Sequence, residues 1–153
     1  MGILAIRPIK YSDILDDPQA VSLLSGYASE CAIPLIGQPI PNREMYAAME
    51  SAEAYQCFGA YDGDTLIGFA ATITAMLPHY SKMIATVESI YVDPAYRKGG
   101  AGRALMAAIE GNARSMGCAA VLYSAPVGSA FEQYLSAARA YSHTSAVFCR
   151  RLA

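Results

Sequence analysis

The segment Arg97-Lys98-Gly99-Gly100-Ala101-Gly102-Arg103 sets three cations and three glycines within seven residues. It follows a β-branched run ending at Val92 and opens a stretch with helical spacing. A helix N-terminus carries unpaired N–H groups and a positive partial charge. Glycine removes the Cβ atoms that would hold a ligand away from those groups. These residue types in this order could bind a compact anion of pyrophosphate size, mostly through the main chain. Two other phosphate-binding motifs are excluded by spacing. No GxxxxGK[ST] string occurs, and Gly100-Ala101-Gly102 is followed by Arg103-Ala104-Leu105, without the third glycine of a dinucleotide fingerprint. On the glycines alone, a turn with solvated charges is the competing reading.

Composition narrows the ligand. The chain has 153 residues, 54% hydrophobic and 16% charged, with a net charge of −2 from 11 Lys plus Arg and 13 Asp plus Glu. Such a chain is expected to form one domain over residues 1–153, with a sizeable core. Disorder is excluded. Nucleic acid is not an expected partner, because phosphate contacts need a spread of cations that this chain lacks. The four cysteines (Cys31, Cys57, Cys118, Cys149) form no CxxC pair, and neither His79 nor His143 lies close to one. No metal site is expected, and the cysteines read as small buried apolar side chains. The N-terminal apolar run Ile3–Ile6 is too short for a signal peptide, and no run approaches a membrane span. The reading is a soluble, reduced, cytoplasmic protein with no membrane partner.

The elements that must position the glycine segment follow from periodicity. Residues 3–9 read as a strand. Asp17-Pro18 signals a helix start, and Asn42 caps a second helix after the proline-containing loop 33–42. Residues 58–77 read as a hairpin turning at Asp62-Gly63-Asp64, and 83–92 as a further strand. In the helix after the glycines, Leu105, Ile109 and Met116 face inward. Glu110 faces outward and pairs with Arg114. Gly117 ends that helix, and residues 118–124 form a buried-type strand. Ser129 to Glu132 is a capping box that starts the last helix, and 144–152 reads as a final strand. The predicted order is β-α-α-β-β-β-α-β-α-β, a mixed α/β sheet with helices packed on it.

The string VESIYVDPAYRKGGAGRALM, residues 87–106, resembles motif A of the GNAT superfamily of acyl-CoA-dependent N-acyltransferases, with Arg97-x-x-Gly100-x-Gly102 in place of its RxxGxG. The resemblance implies a GNAT-like, mostly antiparallel sheet with a V-shaped splay. It also implies acetyl-CoA as co-substrate. The pyrophosphate would lie on the backbone of Arg97, Lys98, Gly99, Gly100, Ala101, Gly102 and Arg103. The pantetheine arm would pair with Ile90, Tyr91 and Val92, one N–H polarising the thioester carbonyl.

Acyl transfer needs a base for the amine and an acid for the leaving thiolate. Ala130-x-x-x-Tyr134 is similar to the family's acid-bearing helix, which makes Tyr134 the expected acid and Tyr141 its reserve. Glu88 is the expected base, placed by strand alternation on the face of Ile90 and Val92. Its pKa would rise if it were buried there. His79 is a lesser candidate. The family's Gly-Phe turn and closing hairpin are absent, leaving room for one strand after Tyr134. An open sheet edge invites pairing, so a partner chain could supply a strand in a homodimer. The implied function is acetyl transfer to a primary amine of a small molecule, peptide or protein. The alternative is a non-catalytic acyl-CoA sensor or scaffold. In such enzymes the acceptor pocket is shaped by loops 33–42 and 74–82 and by the chain end, which here hold Gln38, His79 and Tyr80 but few acids. That favours a monoamine or peptide over a polycationic aminoglycoside.

Overall fold

The computed structural model describes residues 2–152. The elements are β1 (Leu4–Ile9), α1 (Tyr11–Asp16), a 3₁₀ turn (Pro18–Ala20), α2 (Val21–Cys31), α3 (Arg43–Ser51), β2 (Tyr55–Asp62), β3 (Thr65–Leu77), β4 (Lys82–Val92), a second 3₁₀ turn (Pro94–Gly99), α4 (Ala101–Ser115), β5 (Ala120–Leu122) and α5 (Ala130–Ala137). The sheet runs β1-β2-β3-β4-β5 in sequence order. The first three pairings are antiparallel, and β4 with β5 is parallel. The expected mixed, mostly antiparallel α/β architecture is present.

Local chemistry explains most boundaries. Asn42 Oδ1 accepts from Met45 N at 3.0 Å and starts α3. Ser129 Oγ accepts from Glu132 N at 3.1 Å and starts α5, while the Glu132 carboxylate reaches back to Gly128 N. Asp17 caps the first 3₁₀ turn through Gln19 N at 2.9 Å, so α2 begins at Val21 rather than at Pro18. The short α1 was not expected; its Tyr11 and Ile14 plug the core under β1.

Each face of the sheet is covered. On one face, Tyr11, Ile14, Ala20 and Leu23 pack on Tyr55, Cys57, Phe69, Ala71 and Tyr91. On the other, Ala101, Leu105 and Ile109 of α4 pack on Ala60, Ile67, Ala70, Val87 and Val92. Burial of each large apolar side chain contributes on the order of 1.5–3 kcal/mol, and this fixes α4 against the end of β4.

Several expectations need correction. Residues 144–152 form no strand: β propensity needs an adjacent edge to pair with, and this segment is exposed instead. The strand expected over 118–124 is reduced to Ala120–Leu122, the stretch that meets β4. Glu110 does not pair with Arg114 as a solvent-facing couple. Its Oε1 accepts from Tyr123 Oη at 2.7 Å and from Tyr141 Oη at 2.8 Å. Of the four cysteines only Cys57 is buried; Cys149 is exposed. Met116 is partly exposed at the end of α4.

Candidate functional site

The β4–β5 ladder is short. Ile84, Ala85 and Thr86 face Ala120, Val121 and Leu122, and there the pairing stops. Among the described residues, residues 87–92 of β4 run on with no paired strand on that side. The result is a gap whose one wall is the end of β4. Main-chain groups alternate between the two edges of a strand. Asp93 N donates to Ile67 O of β3 at 2.8 Å, so Tyr91 also directs its peptide groups toward β3. Ile90 and Val92 direct theirs into the gap. Of the three residues expected there, Tyr91 has its main chain on the β3 ladder and its side chain on the α2 side.

A bulge lies just upstream. Ala71 pairs with Ser89 and Thr72 with Val87, which leaves Glu88 as the extra residue. The extra residue reverses side-chain alternation. Val87 packs with α4, as do Ile90 and Val92, whereas the Glu88 carboxylate accepts from Tyr46 Oη at 3.3 Å and Tyr55 Oη at 3.1 Å on the opposite face. The expectation that Glu88 shares a face with Ile90 and Val92 is thus overturned, because strict alternation holds only without a bulge. Glu88 is exposed rather than buried. Beneath it lies a stack of rings: Tyr11 and Tyr46 at 4.5 Å, Tyr46 and Tyr55 at 5.1 Å. Burial, reinforced by the negative charge of Glu88, pushes the Tyr11, Tyr46 and Tyr55 hydroxyls well above the usual phenol range. Tyr46 and Tyr55 therefore stay protonated and keep donating to Glu88. Beside Glu88, the buried Ser89 Oγ has no hydrogen-bond partner among the described residues.

At the far end of β4, Asp93 Oδ1 accepts from Ala95 N at 2.8 Å and starts the second 3₁₀ turn. Gly100 then takes φ +84°, a left-handed conformation that favours glycine, and the chain enters α4 with no side-chain cap. The N–H groups of Ala101, Gly102 and Arg103 in the first turn of α4 have no intrahelical acceptor. A Cβ on Gly99 or Gly100 would meet nothing within 4 Å, so the space above these amides is open. Their donor chemistry and that open space fit a diphosphate, and Lys98 and Arg103 flank it in sequence.

Arg97 was expected with them, but its side chain is otherwise engaged. Its Nε donates to Val92 O at 2.9 Å, its Nη2 reaches both Glu30 oxygens, and its guanidinium lies 5.4 Å from the Tyr91 ring centroid. It braces the loop against α2. Gly26 permits this packing: a Cβ there would stand 2.3 Å from Tyr91 Oη.

Tyr134 lies on α5, 41% exposed, with its ring 6.5 Å from that of Tyr141. Tyr141 and Tyr123 both bond Glu110, and burial together with that bond holds the Tyr141 hydroxyl up at about 12. The ring contact of Tyr134 therefore lies on the α4–β5 side of the gap, and the hydrogen bonds of Glu88 lie on the α1–α3 side. His79 stacks against Tyr80 in the loop before β4, at 5.0 Å. Sequence reasoning missed Tyr46, Tyr55, Glu30 and Glu110. Each acts through a partner 13 to 67 positions away, which no local pattern reveals. Among the described residues no helix is long and apolar enough to cross a membrane, and no cluster of metal-ligating side chains occurs.

Comparison with known proteins agrees with this geometry. The Acetyltransferase (GNAT) family profile matches residues 25–139. No match was found among curated proteins. Among solved structures, an aminoglycoside acetyltransferase from an uncultured soil metagenomic sample, in complex with trehalose, superposes with a TM-score of 0.75 at 18% identity, covering 98% of this chain and 97% of that one. AAC(6')-Iy in complex with a CoA-containing bisubstrate analogue gives 0.73 at 18%, covering 98% of each chain. A ribosomal-protein-alanine N-acetyltransferase from Brucella melitensis biovar Abortus 2308 gives 0.69 at 20%, covering 97% of this chain and 99% of that one. These likenesses establish a common fold, and the family match covers most of the chain. With a β4 bulge, a β4–β5 gap and an uncapped glycine-led α4, the chain belongs to the acetyltransferase (GNAT) family.

Proposed function

We propose that this chain transfers an acetyl group from acetyl-CoA to a primary amine. The observation that carries the reading is continuity: the open edge of β4 leads directly to the uncapped, glycine-lined start of α4. One end offers strand-edge N–H groups and the other an anion site, the two ends that a pantetheine diphosphate needs. Ala101, Gly102 and Arg103 N–H groups, with Lys98 and Arg103 side chains, hold the diphosphate. Ile90 and Val92 offer edge N–H groups to the acyl arm. Acetyl-CoA, when bound, supplies the acyl group as an activated thioester.

The protein's own groups then handle protons. Glu88 Oε accepts the proton that the attacking ammonium must lose, and the hydroxyls of Tyr46 and Tyr55 orient that carboxylate. Tyr134 Oη holds a proton for the departing sulfur. A peptide N-terminus or small monoamine is the favoured acceptor over a polycation. Two nearby acids are already engaged: Glu30 by Arg97, and Glu50 by Tyr11 N at 2.7 Å and Ser12 Oγ at 2.9 Å. Glu88 thus offers one negative charge. The expected location is the cytoplasm.

Titration with acetyl-CoA should raise the melting temperature, since the ligand binds only the folded state. Thiol release should then depend on the added amine across a panel of monoamines, peptides and aminoglycosides. Absence of a shift at millimolar acetyl-CoA sinks the reading. The exposed, strand-free stretch 144–152 after Tyr134 favours, as a second reading, an acyl-CoA sensor without turnover. A melting shift with no amine-dependent thiol release would select it.

A further inference from the structure

The loop joining α2 to α3 carries no charged residue from Ala32 to Asn42. Ile33, Leu35, Ile36 and Ile40 on it, and Met45 just beyond it, are exposed; Ile36 and Ile40 reach 74% and 90%. Exposed aliphatics gathered on one segment mark a contact surface, whereas scattered ones do not. The loop is held in shape. Ile36 N and Gly37 N both donate to Ile33 O, at 2.8 and 3.1 Å, and Gly37 closes that turn at φ +109°.

Both roots of the loop are tied to β4. At one root, Glu30 binds Arg97, whose Nε donates to Val92 O at the edge of the gap. At the other, Tyr46 N donates to Asn42 O at 3.1 Å, and Tyr46 Oη donates to Glu88 at 3.3 Å. The loop therefore joins the two ends of the stretch from Glu88 to Val92, about 13 Å of strand. The charges that flank it are neutralised in place, Glu30 by Arg97 and Arg43 by Asp16. Glu44 stands two positions before Tyr46, about 200° around α3 and so on its other side. A molecule bound here meets the Glu88 carboxylate at one end and an uncharged aliphatic wall along its length.

We propose that the acceptor is a small apolar monoamine, with its single primary ammonium at Glu88 and an aliphatic or arylalkyl body on loop 33–42. This rests on the transfer reading above and narrows its acceptor. The N–C bond forms as the C–S bond breaks. One proton leaves the ammonium to Glu88, and the second N–H proton balances the one that Tyr134 gives to sulfur, so the products are an N-acetyl amide and the CoA thiol. An apolar body gains by leaving water. A second ammonium would lose hydration against Ile36 and Ile40 with no anion to offset the loss. A peptide fits less well. Pro34, Pro39 and Pro41 carry no N–H, and Ile36 and Gly37 direct theirs to Ile33, so few donors are left for its carbonyls.

Thiol release with ethylamine through hexylamine at saturating acetyl-CoA should show kcat/KM rising about 2–4-fold per methylene. 1,6-Diaminohexane should fall at least about 10-fold below hexylamine. The double variant Ile36→Ser, Ile40→Ser should melt with the wild type, since both side chains are exposed, and should flatten the rise. Calorimetric titration of the same amines into the CoA complex reads the preference without turnover. A preference for hexylamine there, lost in the double variant, upholds the apolar acceptor even if no thiol is released; only the transfer reading then fails. Turnover that is indifferent to chain length overturns the apolar acceptor and leaves the transfer reading standing. No turnover and no amine binding overturns both. A peptide N-terminus such as Ile-Leu amide that outruns hexylamine also overturns the assignment. So does a wild-type dimer that the double variant abolishes in sedimentation, which would give the loop to a second copy.

Discussion

Arg97 Nη2 lies 2.8 Å from Glu30 Oε1 and 2.7 Å from Glu30 Oε2, which ties the turn before α4 to helix α2. The same guanidinium caps the Val92 carbonyl at the edge of the gap. The first cation of the motif thus positions the loop, and the anion-binding role proposed above falls to Lys98 and Arg103.

This division of labour predicts opposite outcomes for neighbouring substitutions. Arg97→Ala should destabilise the fold by about 1–2 kcal/mol. The half-exposed ion pair contributes about 1 kcal/mol or less, and the Val92 carbonyl loses its donor. Lys98→Ala should leave stability within about 0.5 kcal/mol and weaken acetyl-CoA binding instead, with a smaller salt dependence. Chemical denaturation and ligand titration of both variants check this. Equal stability of Arg97→Ala and wild type would refute the bracing role.

Gly99 and Gly100 separate space from conformation. Neither would place a Cβ against anything within 4 Å, but only Gly100 has a positive φ, +84°. Gly99→Glu should therefore melt with the wild type while losing the acetyl-CoA shift, by bulk and like-charge repulsion. Gly100→Glu should lose the shift and also about 1–2 kcal/mol of stability. If Gly99→Glu binds acetyl-CoA normally, the diphosphate lies elsewhere.

Glu88→Gln should lower amine-dependent turnover by about 100-fold or more while keeping the acetyl-CoA melting shift, as loss of a general base does. Tyr55→Phe should cost less, because it removes one of two hydroxyls holding the carboxylate. Steady-state kinetics with saturating acetyl-CoA decides; full turnover in Glu88→Gln would remove Glu88 from the proton path.

The tyrosines predict an alkaline limit to stability. Burial raises the hydroxyl pKa of Tyr11, Tyr27, Tyr46, Tyr55, Tyr123 and Tyr141 in the folded chain. Their stabilising contribution is intact below the unfolded phenol value of about 10 and is lost as pH rises above it, because the unfolded chain ionises first. Stability should fall by about 1.4 kcal/mol per pH unit for each tyrosine that ionises only on unfolding. Tyrosinate absorbance should then rise together with loss of the far-UV signal. A melting temperature unchanged through pH 11 would contradict this.

The sequence carried the hairpin at 62–64, the caps at Asn42 and Ser129 and the glycine-led start of α4, because each is set by residues within a few positions of one another. It did not carry the face of Glu88. That depends on one unpaired residue in the β3–β4 register, and a bulge leaves no trace in an alternating pattern. Nor did it show that Arg97 is held by Glu30, 67 positions away. The tail 144–152 has strand-like composition, but composition says nothing of whether a free edge lies within reach.

The extra residue at Glu88 works like a letter inserted in a line of text. Downstream of it, Ile90 and Val92 are read by α4 and by the gap. Upstream, Val87 already faces α4 in the shifted frame, and Glu88 alone is turned toward the tyrosines. The proposed cofactor side and acceptor side are thereby written on one strand yet can vary separately. A deletion at this position would merge the two frames, and no single substitution elsewhere in β4 would restore them.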